Sequence, residues 1–235
     1  MSNNKKTSPW VWVGIGCAGV LGILVIAVVG LGYFGFRYAK QVSEEMKDPV
    51  AREAKVKAVL GADAIPPGYF PVLGLSIPAI LDTAILSDRE DLESGGPAFD
   101  HHGFIYMKVR GSGQQKELRD YFEGTTKESG LLRGQSVRHR TRDVIRRGEI
   151  KEADRSLLYV AERGTIETHN VEIEGVTTMI LIECRDDTTR SRFGIWFGPD
   201  PDPAAPVKSA NFSGSPADEA EIRAFARHFD FCRKQ

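Results

Sequence analysis

From Trp10 to Phe36 the chain reads WVWVGIGCAGVLGILVIAVVGLGYFGF, 27 residues without a charge. An apolar helix needs about 20 residues to cross roughly 30 Å of hydrocarbon. This run is long enough to span with tilt. It is apolar all round, whereas a helix on the surface of a soluble core carries a stripe. The segment therefore predicts a transmembrane helix. A cleaved signal peptide has a shorter apolar region followed by small residues; this run ends in Tyr33, Phe34, Phe36 and then Arg37. A lipoprotein signal is also disfavoured, because Gly14 stands three residues before Cys17 and most of the apolar run follows that cysteine.

Trp10 and Trp12 at one end, and Tyr33, Phe34, Phe36 and Tyr38 at the other, suit the headgroup layers. Gly14, Ala18 and Gly22 recur every four residues, a small-residue face on which a second helix can pack to give a homodimer. Orientation is read two ways. Lys5 and Lys6 precede the span, and Arg37, Lys40, Lys47, Arg52 and Lys55 follow it, which favours a cytoplasmic C-terminal side. Acidic residues are mixed among them, and large domains cross despite flanking charge.

Four segments follow: a tail (1–9), the span (10–36), a helical stalk and linker (37–61) and a globular domain (62–235). In the linker, Asp48 reads as an N-cap, Pro49 as the first helical residue and Gly61 as the stop. The domain begins strand-rich: GYFPVLGLSIP and AILDTAILSD read as a hairpin bending near Pro78, and GFIYMKVRG as a further strand. SGQQKELRDYFEG reads as a helix with Leu118, Tyr121 and Phe122 on one face and Gly124 at its end. Four strands are expected at about 136–150, 156–168, 176–185 and 192–197, with VTTMILIEC and RFGIWFG central. The chain closes on a helix placing Ile222, Phe225, Ala226 and Phe229 together, with Ser215 as its cap in an S-x-x-D box. Strands joined by short turns, with two amphipathic helices, give an α+β fold with an antiparallel sheet.

That order of elements, with GLSIPAILD, the central ELRDYFEG helix and the closing IRAFARHF helix, resembles the PsbP-type domain over residues 68–232. The resemblance implies a small accessory or binding protein without catalysis, tethered in a bacterial envelope. The whole chain also resembles bacterial single-span membrane proteins whose domain starts at Gly-Tyr-x-Pro, here Gly68 to Pro71.

Net charge is −1, so nothing in the overall balance favours nucleic acid. Cys184 and Cys232 are the cysteines outside the span; they form either a bridge or two buried thiols. Gly74 and Ser76 match the start of a G-x-S-x-G elbow, but Pro78 replaces the second glycine and the surroundings read as strand. Asp100, His101 and His102 are the metal-ligand candidates, needing partners such as His139 or His169. Arg138, Arg140 and Arg142 share a face of an alternating strand and, with Arg146 and Arg147, offer a basic stripe for anionic lipid or an acidic partner. No aromatics interleave to stack bases. Asp200 and Asp202 sit in a proline-stiffened loop without the glycine turn of a calcium site.

No cofactor is expected. The expectation is a non-catalytic binding or accessory domain on a bacterial inner membrane, its domain outside the cytoplasm and in contact with another envelope protein. The alternative is a metal-binding protein or enzyme using Asp100, His101 and His102.

Overall fold

The computed structural model describes residues 47–78, 80–90, 99–110, 115–126, 138–168 and 171–233, without the side chains of 115, 117, 138–142, 166–168 and 171–173. Among the described residues no helix is long and apolar enough to cross a membrane; Trp10–Phe36, with Gly14, Ala18 and Gly22, lies outside them.

Residues from Asp48 onward form one compact unit. Its elements are α1 (Pro49–Leu60), β1 (Phe70–Ile77), β2 (Leu81–Ser87), β3 (Gly103–Arg110), α2 (Gln115–Phe122), β4 (Arg138–Lys151), β5 (Arg155–Thr168), β6 (Val171–Cys184), β7 (Asp187–Gly198) and α3 (Glu219–Ala226). The strands build one seven-stranded sheet in the order β1-β2-β3-β7-β6-β5-β4, and every neighbouring pair is antiparallel. Two meanders, β1–β3 and β4–β7, join where β3 meets β7. The apolar strands β6 and β7 are central, because both their faces are covered.

Alternation along the strands supplies a core on each face. On one face Leu86, Phe104, Tyr159, Ile182 and Trp196 pack under α1 and α3, which contribute Val56, Leu60, Ile222 and Phe225. On the other, Leu158, Met179, Leu181, Phe193 and Ile195 pack under Leu118, Tyr121 and Phe122 of α2. The helices thus lie on opposite faces, with α2 in the crossover from β3 to β4.

The helix expected to link anchor and domain is part of the domain. Asp48 caps α1, accepting from the Val50 amide at 3.0 Å, and Val56 and Leu60 are fully buried. Two glycines permit this docking. Gly61 ends α1 at φ 65°, and a Cβ there would stand 2.3 Å from the Asp230 carbonyl oxygen. A Cβ on Gly74 would stand 2.7 Å from the Val56 amide nitrogen, so β1 and α1 meet backbone to backbone.

The cap of α3 is a correction. Asp218, not Ser215, is its N-cap, accepting from the Ala220 amide at 3.0 Å. Ser215 forms the preceding turn, its hydroxyl accepting from Ala217 N at 3.2 Å. After α3, Phe229 and Phe231 fold back onto Phe104 and Tyr106. There Cys232 is bonded to Cys184, the Cα atoms 5.6 Å apart and the residues 48 apart in sequence. Of the two states left open by the sequence, the structure has the bridge.

Candidate functional site

The Asp100-His101-His102 segment is organised by a residue that the sequence reading passed over. Asp88, at the end of β2, accepts from the amides of Asp100 at 2.9 Å, His101 at 2.6 Å and His102 at 3.1 Å. Burial by itself raises the Asp88 carboxyl, but the three amides outweigh it and hold the group below its ordinary value. The two rings have their Nδ1 atoms 3.6 and 3.5 Å from Asp88. His102 packs edge-on against Tyr69, whose hydroxyl accepts from Trp196 Nε1 at 2.7 Å and is pushed up to about 12 by burial. The aspartate is a loop clamp here. Among the described residues no three His, Cys, Asp or Glu side chains are grouped to hold a metal, and the ring of His139 and all of His169 lie outside them.

The basic run falls on β4, an edge strand. The shared face expected for Arg138, Arg140 and Arg142 rests on side chains outside the described residues, and only their backbone register is described. Arg138 pairs with Glu167 and Arg140 with Thr165, but a bulge between Thr141 and Asp143 leaves Arg142 without a one-to-one partner. A bulge inserts a residue and shifts the alternation. A second follows between Val144 and Arg146. Charge and bulges on an edge strand also block sheet-to-sheet association. Arg147 is committed elsewhere: it donates to the Tyr121 carbonyl at 2.8 Å, at the end of α2, and its guanidinium lies over the Tyr121 ring. Arg146 is exposed and lies towards Tyr159, which donates to Glu219 at 3.0 Å.

Three further arginines, none singled out from sequence, are buried staples. Arg155 donates to the carbonyls of Phe229 at 2.7 Å and Ala226 at 3.3 Å, capping α3, and pairs with Glu152 at 2.6 Å. Arg163 pairs with Asp200 at 2.6 Å and donates to the carbonyls of Ala205 at 2.7 Å and Asp202 at 3.0 Å. The proline-rich loop is thereby wrapped around a cation of the protein's own. Arg192, 1 % exposed, pairs with Asp187 at 2.5 Å; burial raises the Asp187 carboxyl, but Arg192 together with the hydroxyl and amide of Thr189 holds it at about 2.

Ser76 stands within β1, not on the strand-to-helix turn an elbow needs, and donates to Asp82 at 2.5 Å, so the elbow reading has no structural support. Asp82 also receives buried Lys108 at 2.9 Å. Burial raises the Asp82 carboxyl, and Ser76 and Lys108 together hold it below its ordinary value. The strand register continues this polar row: Ser76 pairs with Asp82, Asp82 with Lys108, and Lys108 with Arg192. A hollow of about 290 Å3 opens at its end, lined by Ser76, Asp82, Lys108, Arg110 and Arg190 and by the apolar residues of the β1–β2 turn, among them Pro78 and Ile80. A larger hollow, about 510 Å3, lies around the β6–β7 turn beside Arg155, Glu183, Cys184 and Asp187. Sequence inspection could have raised the row only by aligning four strands at once.

Comparison with family models, curated proteins and solved structures finds no match for this chain. The PsbP-type resemblance gains no support from them.

Proposed function

We propose that this is a single-span protein of a bacterial inner membrane, whose C-terminal domain stands outside the cytoplasm and acts as a non-catalytic binding or accessory domain towards another envelope protein. The observation that carries the location is the bond between Cys184 and Cys232, since disulfides persist in oxidising compartments and are rare in the cytosol. The charge-free segment Trp10–Phe36 supplies the anchor. This reading goes against the Lys and Arg count around the span. The absence of catalysis is argued from commitments: Ser76 is engaged by Asp82, and the two histidines sit beside an aspartate that serves three backbone amides.

The test is protease accessibility of a C-terminal tag in intact spheroplasts, with a cytosolic protein as control. Digestion of the tag with the control intact is the expected result. A tag that survives until lysis places the domain in the cytoplasm and contradicts the proposal. With the location established, crosslinking in intact cells should trap a second envelope protein on the tagged chain. A crosslinked product containing only copies of this chain contradicts the accessory role.

A further inference from the structure

The hollow at the end of β3 and β7 contains a charge arrangement that stability alone does not explain. Arg110 and Arg190 are directly opposite each other across the β3–β7 pair, two positions beyond Lys108 and Arg192. Alternation puts all four cations on one face. Like charges directly opposite in an antiparallel pair are destabilising. The two neighbouring carboxylates are already engaged: Asp82 by Ser76 and Lys108, Asp187 by Arg192 and by Thr189, whose hydroxyl donates at 2.8 Å. Arg190 reaches Asp187 at 3.8 Å, at the same oxygen that Arg192 holds at 2.5 Å. Arg110 is exposed, and its guanidinium has no carboxylate partner among the described residues. Among the described residues, four cations facing two carboxylates leave an excess of two positive charges beside the apolar Pro78 and Ile80.

We infer that this hollow binds a phosphomonoester through Arg110 and Arg190, with the ester's organic group against Pro78 and Ile80 of the adjoining hairpin turn. A phosphomonoester carries about −1.5 to −2 at neutral pH, which matches the excess. Arginine's planar fork suits phosphate oxygens, and two opposed forks converge on one group. The hollow, about 290 Å3, is at the lower end of ligand sites, so it fits the phosphate and a short apolar stem. Two sources share this chemistry: a soluble phosphomonoester and a phosphatidic-acid-type lipid head. The inference does not depend on which side of the membrane the domain occupies.

The experiment titrates phenyl phosphate into the full chain, purified in an uncharged maltoside detergent and phosphate-free buffer, by calorimetry. Saturable binding is expected, tighter than that of inorganic phosphate because the ring meets Pro78 and Ile80. Arg110→Gln and Arg190→Gln are each expected to weaken it by roughly tenfold or more, the scale of a lost charge-assisted hydrogen bond. Exposed Arg227→Gln leaves it unchanged. Thermal melts separate recognition from folding: the ligand-free Arg110→Gln protein should melt no lower than the parent, because it has lost a like-charge neighbour. A lowered ligand-free melt makes Arg110 a structural residue and overturns the inference. So does the absence of saturable binding, or binding unchanged in the Arg110→Gln/Arg190→Gln double variant. If that variant fails to fold, Arg110→Lys, which keeps the charge and removes the fork, replaces it; unchanged affinity there is equally contrary. Repeating the titration in nanodiscs with and without phosphatidic acid assigns the source. Competition by the lipid points to a membrane ligand and its absence to a soluble one.

Discussion

Arg155 and Arg110 make opposite use of the same side chain. At the junction of β5 and α3, Arg155 is buried, its fork divided between two carbonyls at a helix end and one carboxylate, with Phe231 against its face. At the outer end of β3, Arg110 faces Arg190 and shares a hollow with it. The first region has a backbone acceptor or carboxylate for each cation; the second has cations in excess. An arginine whose donors are matched by its own chain belongs to the architecture. A pair left in excess at a concavity is available to something outside the chain.

Removing the architectural member is the strongest way to break this comparison. Arg155→Ala leaves Glu152 and two carbonyls without their donor in a largely buried setting, and it should cost about 3–5 kcal/mol, read by urea denaturation of the full chain in micelles. A loss below about 1 kcal/mol would dissolve the distinction between the two regions. The disulfide supports the same junction from the other side. Cys184→Ser with Cys232→Ser opens a 48-residue loop and should cost about 2–4 kcal/mol by the same measurement.

Acid should act next. The Asp82, Asp88 and Asp187 carboxyls all lie below their ordinary value of 3.8 in the folded protein, Asp187 at about 2. A depressed folded pKa gives stability that is present above the unfolded pKa and is lost as pH falls through the folded one. Denaturation midpoints should therefore hold down to about pH 4 and drop between about pH 4 and pH 2. Asp187→Asn should shrink that drop; an unchanged profile would mean that the Arg192–Asp187 pair does not carry it. The smallest effect sharpens the comparison most. Arg110→Gln should change ligand-free stability by no more than about 0.5 kcal/mol, as for a surface residue without a structural partner.

Much of the fold was legible. The hairpin about Pro78 formed as expected, because alternation and a proline bend fix it locally. The faces of α2 and α3 followed from helical spacing, and Leu118, Tyr121, Ile222 and Phe225 are buried as that spacing requires. What sequence could not give was the side of the sheet each helix covers, since an apolar stripe fits either face. Nor did it show that α1 docks, which needs Gly61 and Gly74 to meet partners distant in sequence. The candidate sites were less legible. Asp100, His101 and His102 drew attention as neighbours, while the residue that organises them, Asp88, lies 12 to 14 positions earlier. The bulge between Thr141 and Asp143 on β4 could not be read from the arginine spacing. The buried arginines look like solvent-facing strand residues until long-range register supplies their acceptors.

The proposed placement of a tethered domain in an oxidising compartment is reported most directly by its thiols. The chain has three cysteines: Cys17, Cys184 and Cys232. Intact cells are quenched in acid, denatured and alkylated with a mass-tagged maleimide, with and without prior reduction. The account predicts a single tag, on Cys17, before reduction and three tags after it. Three tags without reduction would mean that Cys184 and Cys232 are thiols in the cell, and the placement outside the cytoplasm would lose its main support.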